Sequence, residues 1–211
     1  MKKVILFFAI MFLISNLKAD TWENPETKNY ISANRKYILT VYPTKIPEKY
    51  YSWLYSKPKK KLKFSASDTT IVHCNATLKK IENNDTIEVW NKKLINRIAP
   101  VDVFVANDGE SVITFDNWHS TGYGVDVMVC YDKAGNLTRR FSLEDISPFP
   151  INDYIFSISS IWWRCGVKYI SNNEIEICFC DENKKMKKLI YNIKENEFKE
   201  QQIYHIQPIW E

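Results

Sequence analysis

Along most of this chain apolar and polar residues alternate in short runs separated by turns rich in Asn, Asp and Gly. A period of two puts alternate side chains on opposite faces of an extended strand. Glu174–Cys180 is the cleanest case, with Ile175, Ile177 and Phe179 on one face and Glu176, Cys178 and Cys180 on the other. The same pattern predicts strands over residues 36–42, 62–65, 70–79, 86–92, 101–106, 111–115, 125–131, 137–143 and 186–193, while 144–160 is ambiguous and 157–167 is apolar and aromatic around Trp162 and Trp163. An extended tail over 204–210 could add an edge strand. The turns have their own chemistry: Glu82-Asn83-Asn84-Asp85, Asn107-Asp108-Gly109-Glu110 and Asp132-Lys133-Ala134-Gly135-Asn136. Asp-Gly and Gly-Asn pairs supply the positive φ angles that tight hairpins need. Residues 21–29 are polar and are expected to run along the surface.

Two stretches break the alternation. Residues 43–61 hold three prolines and the aromatics Tyr50, Tyr51, Trp53 and Tyr55, and read as a long loop covering a sheet edge. Residues 143–146 suit one helical turn before Pro148 and Pro150 stop it. No segment sustains a 3.6-residue apolar period, so the expected fold class is all-β. Its strands group into three antiparallel blade-like units, over about 37–94, 101–143 and 161–198. Units of this length suit propeller blades, but closed propellers usually have four or more. The expectation is a partial or open β-propeller-like arrangement, with two packed antiparallel sheets as the alternative.

The N-terminus changes the picture of charge and location. Lys2 and Lys3 precede an apolar run over residues 4–17, and Ala19 offers a small residue before Asp20. This predicts a signal peptide over 1–19 and a single mature domain over 20–211, exported to the periplasm or beyond. The run is short for a bilayer span, so an uncleaved anchor is the lesser alternative. Cleavage removes Lys2, Lys3 and Lys18 and takes the formal net charge from +4 to +1. Nothing in that balance calls for nucleic acid, and no membrane span is expected in the mature chain. The one basic cluster, Lys57-Pro58-Lys59-Lys60-Lys61, reads as a solvated loop.

Export permits disulfides. The five cysteines are Cys74, Cys130, Cys165, Cys178 and Cys180, so at least one stays unpaired within a monomer. Residues 163–169 and 174–180 read as arms of a hairpin. In one register Cys165 faces Cys178; two residues on, it faces Cys180. The candidate bridge is Cys165 with Cys178. Pairing with Cys180, a bridge between Cys74 and Cys130, and five buried thiols are the alternatives. Cys178 and Cys180 lie about 7 Å apart on one face, too far to bond each other easily.

The richest polar cluster is Asp116-Asn117-Trp118-His119-Ser120-Thr121-Gly122-Tyr123-Gly124, between two expected strands. Asp116, Asn117, Trp118, His119 and Tyr123 are the candidate ligand-binding residues. A carboxylate that orients an imidazole is also how hydrolases prepare a base. No nucleophile elbow accompanies the pair, and no catalytic residue is assigned. The plainer reading has Asp116 tying a turn, Trp118 plugging the core and His119 bonded to backbone. Asp102, Asp108, Asp126 and Asp132 read as turn and strand-end residues, and most tryptophans are expected in the core. Cys178 and Cys180 are too closely spaced for a zinc knuckle, and three histidines lack the partners a zinc site needs, so no metal is expected. With five glycines and no P-loop, dinucleotide fingerprint or EF-hand loop, no cofactor is expected either.

One further pattern spans Ala99-Pro100-Val101-Asp102-Val103-Phe104-Val105, Asn107-Asp108-Gly109, Val112-Ile113-Thr114-Phe115-Asp116-Asn117-Trp118-His119, Gly122-Tyr123-Gly124 and Phe141-Ser142-Leu143-Glu144-Asp145. With Cys74-Asn75-Ala76-Thr77-Leu78 and Trp90 ahead of it, this block over 72–145 resembles uncharacterised bacterial secreted proteins with β-propeller-like repeats. The resemblance implies a fold type and export, and brings no catalytic motif. The expected function is that of a noncatalytic binding or structural module of the cell envelope, acting on an envelope or extracellular protein through loop aromatics. A small secreted hydrolase working near Asp116 and His119 is the alternative.

Overall fold

The computed structural model describes residues 22–45, 72–83 and 85–199. The expected strands over 62–65 and 204–210, most of the Pro-rich loop and the lysine cluster lie outside these residues.

The described chain is all-β, built chiefly from three antiparallel meanders of four consecutive strands. Sheet 1 contains β1 (Lys28–Ile31), β2 (Tyr37–Tyr42), β3 (Asn75–Glu82) and β4 (Asp85–Lys93). Sheet 2 contains β5 (Pro100–Val105), β6 (Ser111–Asn117), β7 (Met128–Asp132) and β8 (Leu137–Phe141). A helical turn α1 (Leu143–Ile146) follows, capped by a reciprocal pair between Ser142 and Asp145. Next comes a small hairpin of β9 (Ile155–Phe156) and β10 (Ile161–Trp162). Sheet 3 contains β11 (Arg164–Ser171), β12 (Glu174–Cys180), β13 (Met186–Asn192) and β14 (Glu197–Lys199).

Sheet 2 contributes to two cores among the described residues, one from each face. Val112, Val129 and Tyr131 join Leu39, Val41, Ala76, Leu78 and Trp90 of sheet 1. Their neighbours Ile113, Phe115, Met128 and Cys130 join Ile175, Ile177, Phe179, Leu189 and Tyr191 of sheet 3. Strand alternation thus places successive side chains of β6 and β7 in different cores. It also explains why β7 is apolar without interruption from Met128 to Tyr131. Sheets 1 and 2 approach closely at the β5–β6 turn. Gly109 there has φ +73, and a Cβ would lie 2.3 Å from the Tyr37 ring. Asn34 braces the same turn, giving its N–H to Asn107 Oδ1 at 2.8 Å and its amide to Asn107 O at 2.7 Å.

Several expectations need correction. The polar stretch over 21–29 runs into an unexpected strand at its end, β1, which pairs Lys28 with Val41 through Ile31 with Ile38. The apolar, aromatic run over 157–167 is shared between two strands, because the chain leaves the β9–β10 hairpin before entering sheet 3. β7 starts at Met128, not at residue 125, although Val127 still exchanges backbone bonds with Asp116 and Phe141.

Cys165 and Cys178 are joined by a disulfide with Cα atoms 5.3 Å apart, while Cys74, Cys130 and Cys180 are free. The bridge does not use a uniform hairpin register. Arg164 pairs with Phe179 and Gly166 with Cys178, so Cys165 is the extra residue of a bulge opposite Cys178. A Cys74–Cys130 bridge is excluded by the layering: Cys74 belongs to the core with sheet 1 and Cys130 to the core with sheet 3.

Candidate functional site

The loop after β6 is organised around Asp116, whose carboxylate is buried beneath it. Asp116 takes φ 59°, turning the chain out of the strand. Its Oδ1 accepts the Gly122 N–H at 2.8 Å and the Trp163 indole N–H at 2.9 Å. Its Oδ2 lies 3.8 Å from Arg164 Nη2. Burial pushes the carboxyl's pKa upward, against the lowering influence of Trp163, Arg164 and Gly122. Arg164 also donates to Asp102 at 3.0 Å and lies over the Phe115 ring at 4.6 Å. Asp102 is therefore a mid-strand ion-pair partner, not a turn residue.

The other candidates divide between support and surface. Asn117 Oδ1 accepts from Asn96 at 3.1 Å and from the Arg97 N–H at 3.3 Å, which anchors the preceding loop. Trp118 is half-buried and gives its indole N–H to Glu23 O at 2.9 Å. It meets Trp22 edge-on at 5.2 Å, so it fastens the N-terminal segment and does not plug the core. His119 has φ 67° and an exposed ring 5.4 Å from the Trp22 ring. Partial burial lowers its pKa below the ordinary imidazole value. Tyr123 gives its hydroxyl to Ser157 O at 3.2 Å.

The structure does not assemble Asp116 and His119 into a working pair. Asp116 faces inward and its oxygens are engaged by Gly122, Trp163 and Arg164. No described carboxylate or hydroxyl bonds the His119 ring. Among the described residues no group of three His, Cys, Asp or Glu side chains could hold a metal ion. A cleft of about 360 Å³ between the turns of sheets 2 and 3 includes Asp108, Glu110 and Asp132 in its lining. Asp132 is already occupied by the Ala134 and Asn136 N–H groups.

The chain matches no family model, no curated protein and no solved structure. The site must be read from its own chemistry.

The sequence pattern did not single out the β9–β10 hairpin beside this loop. Ile155 and Phe156 are each 46% exposed, Trp162 is 59% exposed and Ile158 at the tip is 95% exposed. Val125, two residues after Tyr123 in the loop, is exposed as well. Trp22 reaches this region by donating to Ser159 Oγ at 2.9 Å. Residues 154–163 carry no charged side chain, and this was the available signal. An uncharged apolar run equally describes a buried strand, so the signal does not distinguish the two. Of the described tryptophans, Trp90 and Trp163 are buried, but Trp22, Trp118 and Trp162 are not.

Proposed function

We propose that the protein is an exported, noncatalytic binding module of the cell envelope that presents the ridge formed by Tyr123, Val125 and the β9–β10 hairpin. The observation that carries this reading is the exposure of Ile155, Phe156, Ile158 and Trp162 on one preorganised hairpin. Single exposed apolar side chains are ordinary, but a contiguous group of them marks an interaction surface. The exposed side chains of the ridge are chiefly apolar, which suits binding. Export rests on the leader over 1–19. The three stacked meanders are read as blades of an open, propeller-like array, in line with the resemblance over 72–145.

Mature protein spanning 20–211, immobilised and exposed to envelope extract, tests the reading. It is expected to retain envelope components that a Trp162→Ser variant releases. Equal retention by both chains would count against the ridge. Turnover of ester, peptide or glycoside substrates that is lost in His119→Ala would favour the hydrolase.

A further inference from the structure

Sheet 3 buries one face and leaves the other half-open to solvent. Ile175, Ile177 and Phe179 of β12 point into the core, so Glu176, Cys178 and Cys180 share the outer face. Cys165, the bulged residue of β11, meets Cys178 on that face through the disulfide. It is exposed, while Cys178 and Cys180 are half-buried. A disulfide and the free thiol of Cys180 are thus neighbours on one accessible surface.

Cys180 lies one step along the sheet from the bridge. Its N–H bonds Trp163 O at 3.1 Å, which places it across from a residue two positions before Cys165. Diagonal neighbours of this kind have Cα atoms about 7–8 Å apart, just beyond the roughly 4.4–6.8 Å that a disulfide spans. The extra residue of a bulge is left out of the ladder, so Cys165 can cover the small remaining distance. At rest Cys180 Sγ donates to Asp181 O at 3.6 Å. Partial burial and the charge of Asp181 raise the thiol's pKa, against a lowering by Lys184. At neutral pH it therefore stays protonated and leaves the bridge intact.

We propose that Cys165, Cys178 and Cys180 form a thiol–disulfide exchange site for a low-molecular-mass thiol, with Cys180 as the internal resolving thiol. The incoming thiolate attacks exposed Cys165 from solvent. A mixed disulfide forms on Cys165 Sγ, and Cys178 leaves as a thiolate. Cys180, its proton passed to Cys178 through solvent, attacks Cys165 Sγ in turn. The small thiolate leaves, and a bridge between Cys165 and Cys180 forms. One disulfide is present throughout, so neither oxidant nor reductant is consumed. A small thiol suits the site, because it needs only the exposed Cys165 sulfur and no docking groove. This site is independent of the ridge.

Mature protein equilibrated with reduced and oxidised glutathione at mildly alkaline pH, then acid-quenched and mapped by tandem mass spectrometry, tests this. Wild type should show Cys165 linked to Cys180 beside the resting bridge to Cys178. Cys178→Ser, loaded with glutathione on Cys165, should gain the Cys165–Cys180 bridge. It should release glutathione about tenfold faster or more than a chain that also carries Cys180→Ser, because the resolving thiol is intramolecular. Near-UV circular dichroism matching wild type secures the fold of both variants. If they do not fold, the wild-type map decides alone. Wild type that keeps only the Cys165–Cys178 bridge overturns the proposal, as do equal release rates from the folded variants. Exchange with a protein dithiol but not with glutathione overturns the small-thiol assignment.

Discussion

Trp163 gives its indole N–H to Asp116 Oδ1 at 2.9 Å, and both side chains are buried although 47 residues separate them. The bond ties the loop after β6 to the chain entering sheet 3. It also gives the most polar residue of the candidate cluster a structural task. Asp116→Ala would strand the Trp163 and Gly122 donors and remove one carboxylate facing Arg164. A loss of about 3–5 kcal/mol is expected in urea unfolding. Asp116→Asn keeps an acceptor and should cost less.

The charge of Asp116 makes a separate prediction. Its folded pKa is raised, chiefly by burial, so the folded chain keeps the proton to higher pH than the unfolded chain. Stability from this group is complete below the ordinary carboxylate value and declines as pH rises through the folded value. Asp116→Asn lacks that dependence. The wild-type advantage over the variant should narrow from about pH 4 upward; a difference that stays constant or widens contradicts this.

The buried thiols predict alkaline sensitivity. Burial pushes Cys74 and Cys130 from 9.0 up to about 12. Between those values the unfolded chain loses its thiol protons first, so stability falls as pH rises. Each pH unit above 9 should cost about 1.4 kcal/mol per thiol at most. Cys130→Ala should flatten the slope of unfolding free energy between pH 9 and 11. An unchanged slope would mean that the thiol ionises equally in both states.

The bulge at Cys165 predicts a definite cysteine map. Peptide mapping without reductant should recover Cys165 linked to Cys178. In native protein an alkylating reagent should reach half-buried Cys180 before Cys74 and Cys130. Reduction should lower stability by roughly 3 kcal/mol or less, the chain-entropy value for a loop of this length. Recovery of free Cys165 from folded, unreduced protein would contradict the bridge.

Gly122 and Gly124 offer a paired test of the loop. Both have positive φ, but a Cβ on Gly122 would lie 2.7 Å from Ile161 Cβ, whereas one on Gly124 meets nothing within 4 Å. Gly124→Ala should cost about 1–2 kcal/mol from backbone strain alone. Gly122→Ala should cost clearly more and loosen the hairpin beside it. Equal effects would remove the contact from the account.

How much of this was legible follows from which forces act locally. β12 declared itself because one face is buried and the other is not, and α1 because Pro148 and Pro150 bound it. The turn at Gly109 was readable from its need for positive φ. β1 was not, because Lys28–Ile31 is an exposed edge strand whose pairing with β2 leaves little apolar signature. The Cys165 bulge was hidden because register is set by packing across the sheet. At the site, sequence proximity suggested that Asp116 and His119 act together. A positive φ at each, together with the pull of distant Trp163 and Arg164, sends one inward and the other outward. The hairpin ridge escaped because exposure is a tertiary property.

Photo-crosslinking from the ridge tests the central claim most directly. A benzophenone side chain placed at position 158 of the mature protein, in its native envelope, should form adducts. The same group at Asn172, in the β11–β12 turn, should form few or none. Adducts from position 172 with none from 158 would contradict a binding module that works through this hairpin.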